Sequence, residues 1–180
     1  MMAKLDEWLF GRNSGGCMRR VEIEVREKAQ IEAMIRSCKT LRLGMISEGT
    51  PYILPMVFGY SWTEEYPTFY LHCGMAGRKN DALVEGARVC FELDIEGKLT
   101  GKTPYANGYS REFCCVMGEG TIHFARSSEE KIAYFNYLMK HQTGREGFTY
   151  QPGWLTLTQV FTLRVDKLSA SQKGMSDIVP

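Results

Sequence analysis

Apolar residues alternate with polar ones in stretch after stretch of this chain: Leu41, Leu43 and Met45, then Val89, Phe91 and Leu93, then Phe161, Leu163 and Val165. A period of two marks strands that bury one face. Between the first two stretches, Glu48-Gly49 supplies turn chemistry and Tyr52 to Tyr60 is a second β-rich run, so the region reads as a hairpin. Pro55 lies inside that run and cannot donate to a ladder, so the strand is an edge, is bulged, or leaves backbone groups for something other than a neighbouring strand. Phe113 to Phe124 is a further strand, and Gly118 and Gly120 within it point to a bulge or a close approach.

Helical periodicity is confined to a few places. Over Val25 to Cys38 the positions Ile31, Met34, Ile35 and Cys38 follow i, i+3, i+4, i+7 spacing, and Glu27, Lys28, Glu32 and Arg36 form the polar face. Capping chemistry at Ser127-Ser128-Glu129-Glu130 opens a second helix whose stripe is Ile132, Phe135, Leu138 and Met139. About five or six antiparallel strands with one helix before them and two inserted imply a mainly β (α+β) fold, an antiparallel closed or split β-barrel with peripheral helices. A doubly wound fold would need strands and helices in strict alternation.

The segment from Thr68 to Glu92 carries the functional signal. It reads as a strand (Thr68 to His72), the loop Cys73-Gly74-Met75-Ala76-Gly77, a short helix opened by Arg78-Lys79 and running through Glu85, Gly86 as its stop, and a second strand. Backbone N–H groups, helix dipole and two cations converging after a small-residue loop suit a phosphate. A turn with two solvated cations explains the same residues. His72 titrates near neutrality and reads either as an orienting group or proton donor, or as a polar residue satisfying a strand end.

Length and charge narrow the classes. The 180 residues suit one domain with its own core, and a net charge of +1 gives no electrostatic reason to expect nucleic acid or an anionic membrane as partner. An oligonucleotide-binding barrel would need a basic groove with interleaved aromatics. The 6 cysteines form no C-x-x-C pair, which argues against a metal site or disulfide framework and for reduced thiols in the cytoplasm. No apolar run is long enough to span a bilayer. Residues 1–17 read as an N-terminal extension because of the linker-like Gly11 to Gly16, residues 18–174 as the domain and 175–180 as a tail. Residues 95–111 lose periodicity and read as a long connection; Gln159 to Leu168 closes the sheet.

Several pieces recur in order: Met18-Arg19-Arg20 with Arg26-Glu27; Leu43 to Ser47, then Pro51 to Phe58; Phe69-Tyr70-Leu71-His72; Gly77-Arg78-Lys79; Arg88 to Phe91; Gly118-Glu119-Gly120; and the helix from Ser128. Together they resemble the flavin-binding split barrels related to pyridoxamine 5′-phosphate oxidase, and more closely the branch associated with nitroimidazole resistance. The resemblance implies FMN at a homodimer interface, its ring along Leu54, Pro55, Met56 and Val57 and its phosphate near His72, Arg78 and Lys79, with Cys73 also among the cofactor-binding residues. It also points to Trp154 and the Cys115 to Gly118 strand for contacts from a partner subunit. Cys115-Val116 replaces the Ser-Val of many relatives, Ser171-Gln172-Lys173-Gly174 replaces a Thr-Gly-Lys ending, and residues 98–111 are longer, departures that bear on substrate more than on flavin. The implied function is an FMN-dependent oxidoreductase reducing a small flat acceptor such as a nitroaromatic. With no G-x-G-x-x-G fingerprint, a donor such as NAD(P)H would visit transiently. The alternative is a non-catalytic flavin- or haem-binding carrier or sensor.

Overall fold

The computed structural model describes residues 20–175. The extension expected over 1–17 and the tail beyond Met175 lie outside the described residues. Strands are β1 (Glu24–Val25), β2 (Thr40–Ser47), β3 (Thr50–Val57), β4 (Gly59–Ser61), β5 (Thr68–Gly74), β6 (Arg88–Thr100), β7 (Ser110–Phe124) and β8 (Thr158–Lys173). Helices are α1 (Lys28–Ser37), α2 (Lys79–Ala82), α3 (Ser128–Thr143) and α4 (Pro152–Thr156).

Seven of the strands follow the order β3-β2-β6-β7-β8-β5-β4, every pairing antiparallel, and β1 adds to β8. The two ends of that order, β3 and β4, are separated in sequence by Phe58 alone. The chain therefore turns a corner at Phe58 and folds the sheet back on itself as a split barrel. Phe58 is fully buried, with its ring edge-on to Phe69 at 5.5 Å. The run read as one strand from Tyr52 to Tyr60 is thus two. Gly59 makes the corner possible, since a Cβ there would lie 2.3 Å from the backbone nitrogen of Leu138 on α3.

The β2–β3 turn is a two-residue loop with both central residues left-handed, Glu48 at φ 51° and Gly49 at φ 74°, as a type I′ hairpin requires. β3 hydrogen-bonds to β2 and to no other described strand, so Pro55 sits on an edge, where a missing donor disturbs least. The bulge expected around the paired glycines lies between Glu119 and Gly120, opposite β8. A Cβ at Gly118 or Gly120 would come within 2.2 Å of a β8 carbonyl oxygen.

Three further expectations change. Residues 95–111 are not one long connection: β6 runs on to Thr100 and β7 starts at Ser110, with an irregularity between Glu96 and Leu99. Most of this hairpin extension is exposed, so no buried row imposes alternation. β8 continues past Leu168 to Lys173, where Ala170 and Ser171 pair with both β1 and β7. The helix expected through Glu85 ends at Ala82, because Leu83 leaves helical geometry and is buried.

The core fills the barrel with inward rows from each strand, closed at one end by Ile31, Met34 and Ile35 of α1. A second cluster, Phe135, Leu155 and Val160, lies outside the barrel wall beneath α3 and α4. α3 is capped as its sequence predicts: the Ser127 hydroxyl accepts from Glu130 N at 3.2 Å, and Gly144 at φ 71° ends the helix.

Candidate functional site

β5 ends at Gly74, and the loop to α2 brings Arg78 against the β2–β3 hairpin. Arg78 Nε donates to Ser47 Oγ at 3.2 Å, and its guanidinium stands 4.8 Å over the Tyr52 ring. Ser47 is fully buried, so the hydroxyl is a fixed point rather than a solvated one. Held through Nε and its flat face, the guanidinium keeps its terminal nitrogens for an oxyanion, which a planar fork meets two bonds at a time. Lys79 Nζ reaches back over the loop to Ala76 O at 2.6 Å. Among the described residues neither cation forms an ion pair. α2 is a single turn, so its dipole adds little, and attraction for an anion rests on these two side chains.

Successive β5 side chains point to opposite sides. Cys73 faces inward, with Sγ 3.5 Å from Gln159 Oε1 and 3.9 Å from Asn80 Oδ1. Burial pushes its thiol up, so it stays protonated near neutrality. His72 faces outward, its ring 5.2 Å from Phe135 and 6.3 Å from Trp154. Burial lowers its pKa, which leaves the imidazole neutral near pH 7. His72 Nδ1 and Asn80 Nδ2 are buried without a hydrogen-bond partner. Two orphaned polar atoms on β5 and α2 are unusual in a settled interior and fit a site completed by a polar ligand.

The structure therefore makes two groups of the expected residues. Arg78 joins Ser47 and Tyr52; His72 joins Phe135 and Trp154. Cys73 follows His72 and Asn80 follows Lys79, and no described hydrogen bond or ring contact links His72 to Arg78. On β3, Leu54 and Met56 share the inward face of Tyr52, while Pro55 and Val57 point out and are exposed. β3 thus runs from the guanidinium at Tyr52 along an unpaired edge. Ser47, Tyr52 and Asn80 were not singled out from the sequence.

The outer face of β3, β2, β6 and β7 is open. Ile53 is 66% exposed, Ile46 62% and Met117 53%. A groove of about 750 Å³ crosses this face over Gly44, Cys90 and Met117. Arg42 pairs with Glu92 and Asp94 at one flank, and Arg88 with Asp166 and Glu119 at the other. Cys115 also faces outward, 3.7 Å from Glu92 Oε1, with its thiol pushed up to about 12 by burial and by that carboxylate.

Residues 27–172 match the pyridoxamine 5′-phosphate oxidase family over most of the chain. The chain belongs to that family. Among solved structures it is similar to a candidate 5-nitroimidazole antibiotic resistance protein from Bacteroides thetaiotaomicron, with 29% identity, a TM-score of 0.70 and coverage of 82% of this chain and 85% of that one. A flavocytochrome from Azotobacter vinelandii shares the fold at 18% identity and TM-score 0.73, covering 91% and 75%. An FAD- and haem-binding protein from Mycobacterium smegmatis shares it at 14% identity and TM-score 0.69, covering 87% and 78%. A comparison with functionally curated proteins returns no match. Among the described residues no helix is long and apolar enough to cross a membrane, and no cluster of side chains has the make-up of a metal site.

Proposed function

We propose that this family member is an FMN-dependent oxidoreductase that works as a homodimer in the cytoplasm and reduces a small flat acceptor of the nitroaromatic class. The observation that carries the reading is Arg78, held by Ser47 and Tyr52 at the head of an unpaired β3 edge with Lys79 beside it. A flavin mononucleotide needs an anion site next to an extended polar edge, and these residues fit it: the two cations take the phosphate, and Leu54 to Val57 flank the ring. FMN bound there supplies the hydride and one-electron chemistry that no side chain carries. His72, neutral and with an unpartnered ring nitrogen, offers either a donor or an acceptor to the ligand. Trp154, 43% exposed next to it, offers a flat face to an acceptor. A nicotinamide donor such as NAD(P)H needs only transient access.

Support for the dimer comes from the open sheet face, whose exposed Ile46, Ile53 and Met117 are more apolar than solvent favours. Flanking pairs of both signs let the face meet a second copy of itself. Free thiols at the described cysteines suit a reducing compartment.

The test replaces both cations. Arg78→Ala with Lys79→Ala should yield folded protein that has lost most of its visible flavin absorption, and a double variant as yellow as the parent refutes the phosphate assignment. A second reading, a carrier or sensor of flavin or haem without turnover, is favoured by the similar structures described as a flavocytochrome and as an FAD- and haem-binding protein. Steady-state oxidation of NAD(P)H with a nitroaromatic acceptor separates the two, since a carrier binds its cofactor without cycling.

A further inference from the structure

A second cleft lies between α1 and α3 with β4 as its floor. Its volume is about 670 Å³, and it shares no lining residue with the Arg78–Tyr52 group. A space of this size falls within the range of small-molecule sites, roughly 300–1,000 Å³. Tyr60, Trp62 and Tyr137 provide aromatic surface. Arg36, Lys39 and Lys140 converge on it against one lining carboxylate, Glu32.

The cations come from three different places, and each is positioned. Arg36 lies one helical turn after Glu32 on α1, where the neighbouring Tyr60 hydroxyl raises its pKa, and that hydroxyl donates to Glu32 Oε1 at 3.3 Å. Lys39, just beyond α1, donates to the carbonyl of His141 at 2.7 Å and so ties α1 to the end of α3. Lys140 is fixed from outside by Glu146 at 2.5 Å. His141 presents its ring to Tyr60 at 5.4 Å, and its Nε2 donates to Cys38 O at 2.8 Å. A carbonyl only accepts, so this nitrogen carries the proton, and burial keeps the imidazole neutral. Glu32 and Glu146 offset two of the three charges, so the cleft keeps a net positive charge beside its aromatic surface, which an anion would balance.

We propose that this cleft binds a planar aromatic anion of the carboxylate class, with the ring against Tyr60, Trp62 and Tyr137 and the carboxylate between Arg36 and Lys140. The guanidinium offers a bidentate partner and the ammonium a point charge, while Lys39 sets the local potential. The site stands apart from the flavin reading, and neither depends on the other.

The probe is 1-naphthoate, titrated by calorimetry into the protein as purified, with the neutral 1-naphthamide as its isostere. Naphthoate should bind at least about tenfold more tightly than naphthamide, and added salt should weaken naphthoate selectively. Arg36→Glu and Lys140→Glu should each weaken naphthoate by about tenfold or more, while Lys98→Glu on the distant β6–β7 hairpin leaves it unchanged. Unaltered far-ultraviolet circular dichroism and urea midpoints in all three variants show that the fold is intact. Equal affinity for the two probes, no binding up to about 1 mM, or indifference to Arg36→Glu and Lys140→Glu overturns the proposal.

Discussion

On β5 and β8 the outward row of Tyr70, His72, Val160 and Thr162 lies beneath α3 and α4, whereas on β2, β3, β6 and β7 the outward row of Ile46, Ile53, Cys90 and Met117 meets no helix. Both rows carry apolar residues. In the first, burial on both faces replaces alternation by near-continuous apolar runs, Phe69 to Leu71 and Val160 to Leu163, and Tyr70 stacks on Tyr137 at 4.3 Å. In the second, alternation survives, with side chains too apolar for solvent standing between ion pairs. The covered face is completed by the chain itself; the open face is what a partner of matching shape would complete. The two site groups sort the same way: His72 belongs to the covered side, and Arg78 to the rim of β2 and β3.

The largest expected effect tests the covered face. Phe135 is 2% exposed and packs on His72, Tyr150 and Trp154, so Phe135→Ala leaves a cavity and should cost about 3–5 kcal/mol in urea unfolding. A cost near that of a surface change would mean that α3 and α4 do not seal this side. Next, Ile53→Asp puts a carboxylate in the middle of the open face. A monomer tolerates such a change to within about 0.5 kcal/mol, but a dimer closed over that face must desolvate the charge, raising its dissociation constant by ~100-fold or more. Sedimentation velocity checks this, and an unchanged oligomer breaks the contrast between the faces. Cys90 offers a chemical version of the same measurement, since its thiol is exposed in the single chain and lines the groove. With the proposed dimer closed over that face, alkylation of Cys90 should be slow in the parent and fast in Ile53→Asp, with buried Cys38, pushed up to about 12, silent in both.

What could be read in advance follows the same division. β2 and the first half of β6 bury one face, and their alternation gave their position and direction. The β6–β7 tip buries neither face, so nothing in its residues marked where strand gives way to loop. The outer half of β8 pairs on both edges through Ala170 and Ser171, which carry no apolar period. At the site, Arg78 and Lys79 were legible because a cation pair after a small-residue loop is a local feature. Ser47 and Tyr52 were not, because Ser47 lies 31 residues earlier and is brought to Arg78 only when the sheet forms. His72 was legible as a titratable group, but the face it occupies depends on helices that begin only at Ser128 and Pro152, which no local pattern announces.

The smallest effect is a pH dependence that links the covered face to the far cleft. His72 and His141 are both held below the ordinary value of 6.5, each chiefly by burial, and a base with a depressed folded pKa takes up its proton more readily when unfolded. Their contribution is therefore complete above about pH 6.5 and is lost as pH falls through the window between that value and the lower folded pKa. Partial exposure of both rings screens the effect, so the slope stays under one proton per site. Glu85, Glu146 and Asp166 are likewise held below their ordinary values, each chiefly by hydrogen bonds, and their loss begins only as pH falls below the ordinary carboxylate values of 4.5 and 3.8. The histidine window opens at the higher pH, so the first loss in urea midpoints stepped down from about pH 7.5 reports the histidines. His141→Gln keeps an N–H for Cys38 O but cannot titrate, and it should flatten that slope while leaving stability at pH 7.5 within about 1 kcal/mol of the parent. An unchanged slope would assign the whole dependence to His72, and with it to the face that α3 and α4 cover.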